Sequence, residues 1–325
     1  MKMNSSIFTD AMKYNHIKVK DDQMTIHNYD GVGVGIIKTI KLDEPSTKEM
    51  DFVLNDKDYR FVNKLGDIDL DITKTGLNIK KGGNKFKFAF LKDYPKFDID
   101  LDNARELAID FETLKKASTF VGDGKTAPQY AGINVLDGVI LTTNRAAIMR
   151  KKFDNQSGIE VNIPGNVTKY IVDEENMKFK ANSKFFICES FNRLMYSTLI
   201  ENRITNKEIK LNTVYSFVVN RNELSNELKM IRDYTDVVKT RVEDRYLNLK
   251  VSTSEQTFEL KIKTTSFEGD SLIQNFGIKN LLLILNAVEI EDIKIEVSEV
   301  ALRIYDDAKE TEFLLPRYGA IEKEW

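Results

Sequence analysis

The segment Gly122-Asp123-Gly124-Lys125-Thr126 ends like a phosphate-binding loop, whose backbone N–H groups and lysine cradle phosphate oxygens. Such a loop needs a glycine where this chain has Thr119, and a strand where the preceding residues read as a helix, so the segment is expected to be a loop with a basic tip. Gly31-Val32-Gly33-Val34-Gly35 lacks dinucleotide spacing and opens no helix; a strand or bulge with close backbone packing fits it better. Asp67-Ile68-Asp69-Leu70-Asp71 and Asp98-Ile99-Asp100-Leu101-Asp102 have neither the glycine nor the closing glutamate of a calcium loop, and read as wet strand faces or turns. His16 and His27 have no His or Cys partners at ligand spacing and are expected on the surface or in strands. Cys188 follows Phe185-Phe186-Ile187 and is expected to be an inert buried thiol. No nucleophile is organised with a base, so neither an enzyme nor a cofactor or metal site is expected.

Composition narrows the class. The chain has 325 residues, 42% hydrophobic and 30% charged, enough for two or three domains. No apolar run is long enough to span a bilayer, and the first residues lead into no apolar stretch, so neither a membrane span nor a secretory leader is expected. A single cysteine fits a reducing cytoplasm and excludes a disulfide framework. A net charge of −3 excludes a uniformly basic, DNA-coating protein. It leaves open one basic face, because 48 Lys and Arg can be segregated from 51 Asp and Glu.

The hydrophobic period is mostly two. Phe86, Phe88 and Phe90 alternate with Lys85, Lys87 and Ala89; Ile68-Leu70-Ile72, Leu247-Leu249-Val251, Phe258-Leu260-Ile262 and Ile293-Ile295-Val297 alternate with polar residues. This is the pattern of half-buried antiparallel strands. Helical periodicity is confined to 111–121, 222–233, 278–289 and a shorter stretch at 56–65. A unit of short helix followed by three strands recurs at 52–91, 161–199 and 273–315, and upstream of the last two lies an amphipathic helix followed by strands. The chain therefore reads as three similar units, 1–105, 106–212 and 213–325. The first is short at its front, so its first helix is expected to be reduced.

Three such units in tandem resemble the bacterial replicative sliding clamp, the beta subunit of DNA polymerase III. Phe52-Val53-Leu54-Asn55 through Phe90-Leu91-Lys92-Asp93-Tyr94-Pro95 is similar to the second half of that family's first domain. Asn275-Phe276-Gly277-Ile278-Lys279-Asn280-Leu281-Leu282 resembles the start of its last helix, and Glu312-Phe313-Leu314-Leu315-Pro316-Arg317-Tyr318 its closing strand. The chain departs at Thr143-Asn144-Arg145-Ala146-Ala147-Ile148, where the family has a Thr-Asp-Gly-His-Arg-Leu-like segment, and in the residues 319–325 that follow the tail. A diverged, bacteriophage-encoded clamp would account for these departures.

The resemblance implies an α+β fold of three clamp-type domains, each of antiparallel sheets with up to two helices on the inner face, forming half of a ring. It implies a cytoplasmic, non-enzymatic processivity factor. Inward helices would carry basic residues to duplex DNA without reading its sequence. The candidates are Lys57, Arg60 and Lys64 in the first unit; Lys115, Lys116, Lys125 and Lys169 in the second; and Arg221, Lys229, Arg232 and Lys279 in the third. A pocket between the second and third domains would take a short linear motif of a polymerase or clamp loader. The matching positions are Ala131, Thr143, Arg145, Ala147 and Ile148 on one side. On the other are Val300, Ala301, Phe313, Leu314 and Leu315, with Pro316, Arg317 and Tyr318. A head-to-tail homodimer would close the ring, with Phe86 and Phe88 meeting the partner's third domain near Ile231 and Tyr234. Two other readings stay open: a β-rich structural or virion assembly protein using the same repeats for packing, and a clamp-like decoy that binds polymerases without encircling DNA.

Overall fold

Strict apolar–polar alternation makes a strand that can bury one face only, and such strands must find partners on both edges. The computed structural model, which describes residues 2–43, 45–46, 49–95, 99–125, 127–205, 209–306, 310–322 and 325, is built accordingly from antiparallel sheets with few helices.

The element order repeats three times. The first repeat runs β1 (Lys2–Asn4), a 3-10 turn (Ser5–Ile7), β2 (Tyr14–Lys20), β3 (Gln23–Tyr29), β4 (Val34–Lys41) and β5 (Met50–Asn55). It continues with α1 (Asp56–Asn63), β6 (Asp67–Ile72), β7 (Gly76–Lys81) and β8 (Asn84–Ala89). The second runs β9 (Arg105–Leu107), α2 (Phe111–Ser118), β10 (Gly132–Leu136), β11 (Val139–Thr143), β12 (Ile148–Lys152) and β13 (Val161–Pro164). A 3-10 turn (Gly165–Tyr170) then leads to β14 (Lys178–Ala181), β15 (Phe185–Glu189) and β16 (Arg193–Thr198). The third runs β17 (Thr213–Asn220), α3 (Arg221–Ile231), β18 (Val237–Glu243), β19 (Tyr246–Ser252) and β20 (Thr257–Lys263), then an added β21 (Ser266–Gly269). It ends with β22 (Gln274–Gly277), α4 (Ile278–Ala287), β23 (Asp292–Ser298), β24 (Ala301–Asp306) and β25 (Thr311–Pro316).

The sheets do not respect repeat boundaries. By contacts the chain falls into two units, Met1–Ala108 with Lys169–Leu199, and Ile109–Thr168 with Ile200–Trp325. The first holds an 8-stranded sheet, β5-β2-β3-β4-β16-β15-β14-β9, and a 4-stranded sheet, β1-β6-β7-β8. The second holds a 9-stranded sheet, β13-β10-β11-β12-β25-β24-β23-β17-β21, and a 4-stranded sheet, β20-β19-β18-β22. Each large sheet thus joins the front half of one repeat to the back half of the next. The joints are β4 against β16, with Ile36 opposite Met195, and β12 against β25, with Met149 opposite Phe313.

Local chemistry fixes the ends of the helices. Asn55, Asp110 and Asn220 cap α1, α2 and α3, each side chain accepting from a first-turn backbone N–H. In place of a first helix, the first repeat has only the turn Ser5–Ile7, and Phe8 plugs the core there, edge-on to Tyr59 at 5.5 Å. His16 and His27 are strand residues and both are buried, not on the surface; His16 Nε2 lies 2.6 Å from Asp51, and His27 Nε2 lies 2.7 Å from the Tyr196 hydroxyl. Tyr196 also explains Gly35, its cross-strand neighbour, because a Cβ there would fall 2.3 Å from the tyrosine ring. Burial pushes the Cys188 thiol up to about 12, so it is inert at neutral pH. Asp67–Ile72 is a strand; Asp98, in the other aspartate run, lies outside the described residues. No helix among the described residues is long and apolar enough to cross a membrane.

Candidate functional site

The basic side chains divide by what holds them. On α1 the apolar stripe Tyr59 and Val62 is buried, which turns Lys57, Arg60 and Lys64 outward; Arg60 pairs with Asp56 at 2.6 Å and donates to the Ala11 carbonyl. On α2, Leu114 and Ala117 face the core and Lys115 is exposed. On α3, Leu224, Leu228 and Ile231 are buried, leaving Lys229 and Arg232 exposed. Lys125, Lys169 and Lys279 are exposed as well, Lys169 lying 4.9 Å over the Tyr170 ring.

Two cations are held differently. Lys116 reaches Glu289 at 2.6 Å and Asp306 at 3.4 Å, and the Asp306 side chain is fully buried. The carboxylates outweigh burial and hold the lysine above its ordinary pKa. Arg221 donates to the Val288 carbonyl and so ties the start of α3 to the end of α4. Both read in the sequence as phosphate contacts; in the fold they are internal ties.

The two sides of the expected peptide pocket do come together, through the pairing of β12 with β25. Ile148 lies opposite Leu314, Ala301 opposite Pro316, and the Arg317 N–H donates to the Val300 carbonyl. Thr143 Oγ1 donates to the Ala147 carbonyl at 2.7 Å and sets the turn between β11 and β12. Ala147, Phe313, Leu314 and Leu315 are enclosed, at 0–2% exposure, whereas Val300 is 58% and Tyr318 62% exposed. The reachable surface is therefore Ile148, Val300, Pro316, Arg317 and Tyr318, with the enclosed residues as its floor. Arg145 belongs elsewhere: at φ +76° it stacks 5.0 Å over Tyr130 and borders a cavity of about 410 Å³ shared with Lys279 and Asn280, while Ala131 packs against Gly124, where a Cβ would fall 2.6 Å from its own. A second groove of about 500 Å³ joins Lys279 to Arg232. Nothing in the spacing of Arg145, Lys279 and Arg232 announced that the fold would group them.

The dimer candidates also separate. Phe86 and Phe88 flank the exposed Phe61 ring, at 5.3 and 5.8 Å, around a cavity of about 690 Å³ whose rim includes Lys57, Arg60, Lys64, Lys85 and Lys87. Ile231 is a core residue at 2% exposure and cannot reach a partner; Tyr234 is 53% exposed and stacks 4.6 Å from Phe258 of β20. Phe61 and Phe258 were missed in the sequence as surface groups, although Phe61 stands off the buried stripe of its helix.

No protein-family model matches the chain, and no curated protein matches it by sequence. Solved structures do match over nearly its whole length. The Bacillus subtilis DNA polymerase sliding clamp superposes with a TM-score of 0.86 at 16% identity, covering 98% of each chain. The Pseudomonas aeruginosa DNA polymerase III subunit beta gives 0.86 at 11%, covering 98% of this chain and 99% of that one. The fold is the sliding-clamp fold. The Helicobacter pylori beta clamp, solved bound to a DNA ligase peptide, gives 0.82 at 16% identity with the same coverage. The clamp fold accounts for the three tandem repeats of antiparallel sheets with few helices; identities this low carry the fold alone.

Proposed function

We propose that the chain is a DNA sliding clamp, a non-enzymatic cytoplasmic processivity factor whose three domains divide near residues 105 and 212. The observation that carries this reading is a pattern of strand pairing left incomplete. The last front-half strand of repeat one, β4, pairs with the last strand of repeat two, β16; likewise β12 of repeat two pairs with β25 of repeat three. By the same rule β20 of repeat three should pair with the last strand of repeat one, β8. Both are the terminal strands of their 4-stranded sheets. A second copy, joined head to tail, satisfies both edges at once and closes the assembly.

Large exposed apolar groups stand beside both edges: Phe61 near β8, and Met230 and Tyr234 by β20. Side chains opposite one another share a face, so Phe86 and Phe88 meet Phe258 and Leu260, with Tyr234 at the border. In the closed assembly Lys64, Lys115, Lys125, Lys169, Lys229, Arg232 and Lys279 contact phosphates without sequence preference. The surface around Ile148, Val300 and Tyr318 takes a short motif of a polymerase or clamp loader; that the Helicobacter pylori clamp was solved with a DNA ligase peptide supports a peptide partner. Loading requires a separate ATP-driven loader.

Cysteine pairing tests the joint. Glu259→Cys combined with Lys85→Cys or Lys87→Cys should oxidise to a covalent dimer in one of the two combinations. A chain that stays monomeric in both, with either cysteine alone as control, would remove the joint and with it this reading.

A further inference from the structure

Beyond its closing strand the chain turns back. The Tyr318 N–H donates to the Asn275 carbonyl at 2.8 Å, and Glu322 forms an antiparallel bridge with Ile273, so the segment runs along the free edge of β22. The Asn275 side chain donates to Glu322, and Lys239 forms an ion pair with the same carboxylate. Asn275 therefore holds the segment at two points, Tyr318 by its backbone and Glu322 by its side chain. Further on, the Trp325 ring lies beneath the Arg241 guanidinium at 4.7 Å and the Lys250 ammonium at 5.8 Å.

The face that receives it is unusual. Val238, Val242, Leu247, Leu249 and Val251 point into the core, so the opposite face of β18 and β19 presents Lys239, Arg241 and Lys250. Those three side chains are only 21–27% exposed, and Arg241 Nε is buried with no acceptor among the described residues. Arg241 also pairs with Glu243 at 2.5 Å and Lys250 with Glu259 at 3.1 Å. The tail adds the Glu322 carboxylate over Lys239 and an aromatic face over the other two, where cations held this low on a sheet gain from negative or aromatic cover. Lys239 and Asn275 in turn hold the Glu322 carboxyl below its ordinary range.

We propose that this sheet face is a docking site for a short acidic segment bearing an aromatic side chain, and that residues 319–322 and the Trp325 ring occupy it in cis as a latch that fixes Pro316, Arg317 and Tyr318. The docking stands on geometry alone; its effect on partner binding rests on the function proposed above. Docked, the latch covers the edge of β22 and holds Tyr318 at the rim of the peptide surface. Released, it leaves Tyr318 without its backbone anchor and withdraws the Glu322 carboxylate from Lys239 and the indole from Arg241 and Lys250. Its contacts are ionic and cation–π at a partly exposed site, so salt loosens it.

Trp325 is the single tryptophan of the chain, so its emission reports docking directly. In the full chain the indole should be shielded from acrylamide at low salt, and quenching should rise about twofold or more by 0.5 M salt as the ion pairs are screened. Lys239→Glu should give the high-salt value at low salt, and Lys239→Glu with Glu322→Lys should restore shielding. An indole as accessible as that of a free tryptophan peptide at every salt concentration would overturn the docking. Truncation after Gly319 should then weaken binding of a fluorescent peptide carrying a Gln and two hydrophobic anchors by about fivefold, the size expected for loosening one rim aromatic. Unchanged affinity would overturn the latch's hold on Tyr318. Failure of the intact protein to bind that peptide, with Trp325 shielded, would count against the peptide surface and leave the docking standing.

Discussion

The two joints between repeats use the same strand pairing and different chemistry to lock it. At β4 and β16 the lock is a buried histidine and one acidic centre. His27 meets Tyr196 across the sheet, while Asp10 takes Lys38 and, at 3.5 Å, Arg193. At β12 and β25 the lock is a chain of ions: Arg150 to Glu312 at 2.9 Å, Glu312 to Arg303 at 3.4 Å, and Arg303 to Glu296 at 3.8 Å. On the same sheet Lys116 ties α2 to Asp306 of β24. The topology is thus indifferent to the particular polar groups, provided each buried one is answered. The first joint should be sensitive to mild acid and the second to loss of a single ion. The proposed third joint, between copies, would rest mainly on the burial of Phe86, Phe88 and Phe258.

The largest effect is expected at that third joint. Phe86→Asp places a charge where the partner's Phe258 and Leu260 should pack, and should weaken dimerisation by about 2–4 kcal/mol, a hundredfold or so, by sedimentation. The monomer should keep its fold, because Phe86 is only partly buried. Dimers of normal affinity would mean that the open edges are not the joint.

Next comes the second joint. Lys116→Met leaves the Asp306 carboxylate buried without its cation and should cost about 3 kcal/mol of stability in denaturant unfolding. Adding Asp306→Asn should recover part of that loss. Lys115→Met, one residue away and exposed, should change stability by less than about 0.5 kcal/mol.

The first joint should respond to pH. Burial, with His16 and Lys18 nearby, lowers the His27 pKa from 6.5 to about 4. The unfolded chain therefore takes up the proton first, and stability falls as pH drops from 6.5 toward 4. The loss should be about 1–3 kcal/mol over that window and should flatten in His27→Gln, which can still accept from Tyr196. Asp10 and Asp110, held below the ordinary carboxylate range by their partners despite burial, add stability that is lost only at lower pH, below about 3.8.

The smallest effect on stability, with a clear one on function, should follow neutralising Lys115, Lys229 and Arg232 together. Folding should be nearly unchanged, while DNA retention falls and its salt dependence flattens. Unchanged retention by a dimer that still loads would place these side chains away from DNA.

Much of this architecture was legible in the sequence, and the reason is periodicity. Strands 67–72, 257–263 and 292–298 alternate strictly and 84–89 and 246–252 nearly so, and α1, α2, α3 and α4 each carry a buried stripe that starts at a capping Asn or Asp or, in α4, at Gly277. The joints were not legible. Ile36 and Met195, or Met149 and Phe313, are distant in sequence, and no local spacing marks which strand edge will find which. The same blindness put Lys116 and Arg221 among the free cations, because a helical wheel shows which way a lysine leaves the helix and not whether a carboxylate from another repeat waits there. Ile231, expected at the surface, is the last residue of the buried stripe Leu224-Leu228-Ile231. Residues 319–325 read in the sequence only as an addition beyond the tail, and no local spacing places Glu322 beside Lys239 or Trp325 beside Arg241.

A clamp made of two copies should be held on DNA by topology and not by affinity. The direct measurement is to load the protein on nicked circular DNA with a clamp loader, linearise half of the sample, and follow retention by gel filtration at moderate salt. Protein should stay with the circle and be lost from the linear form, and Phe86→Asp should be lost from both. Equal retention on circular and linear DNA would show surface binding, and would contradict encirclement.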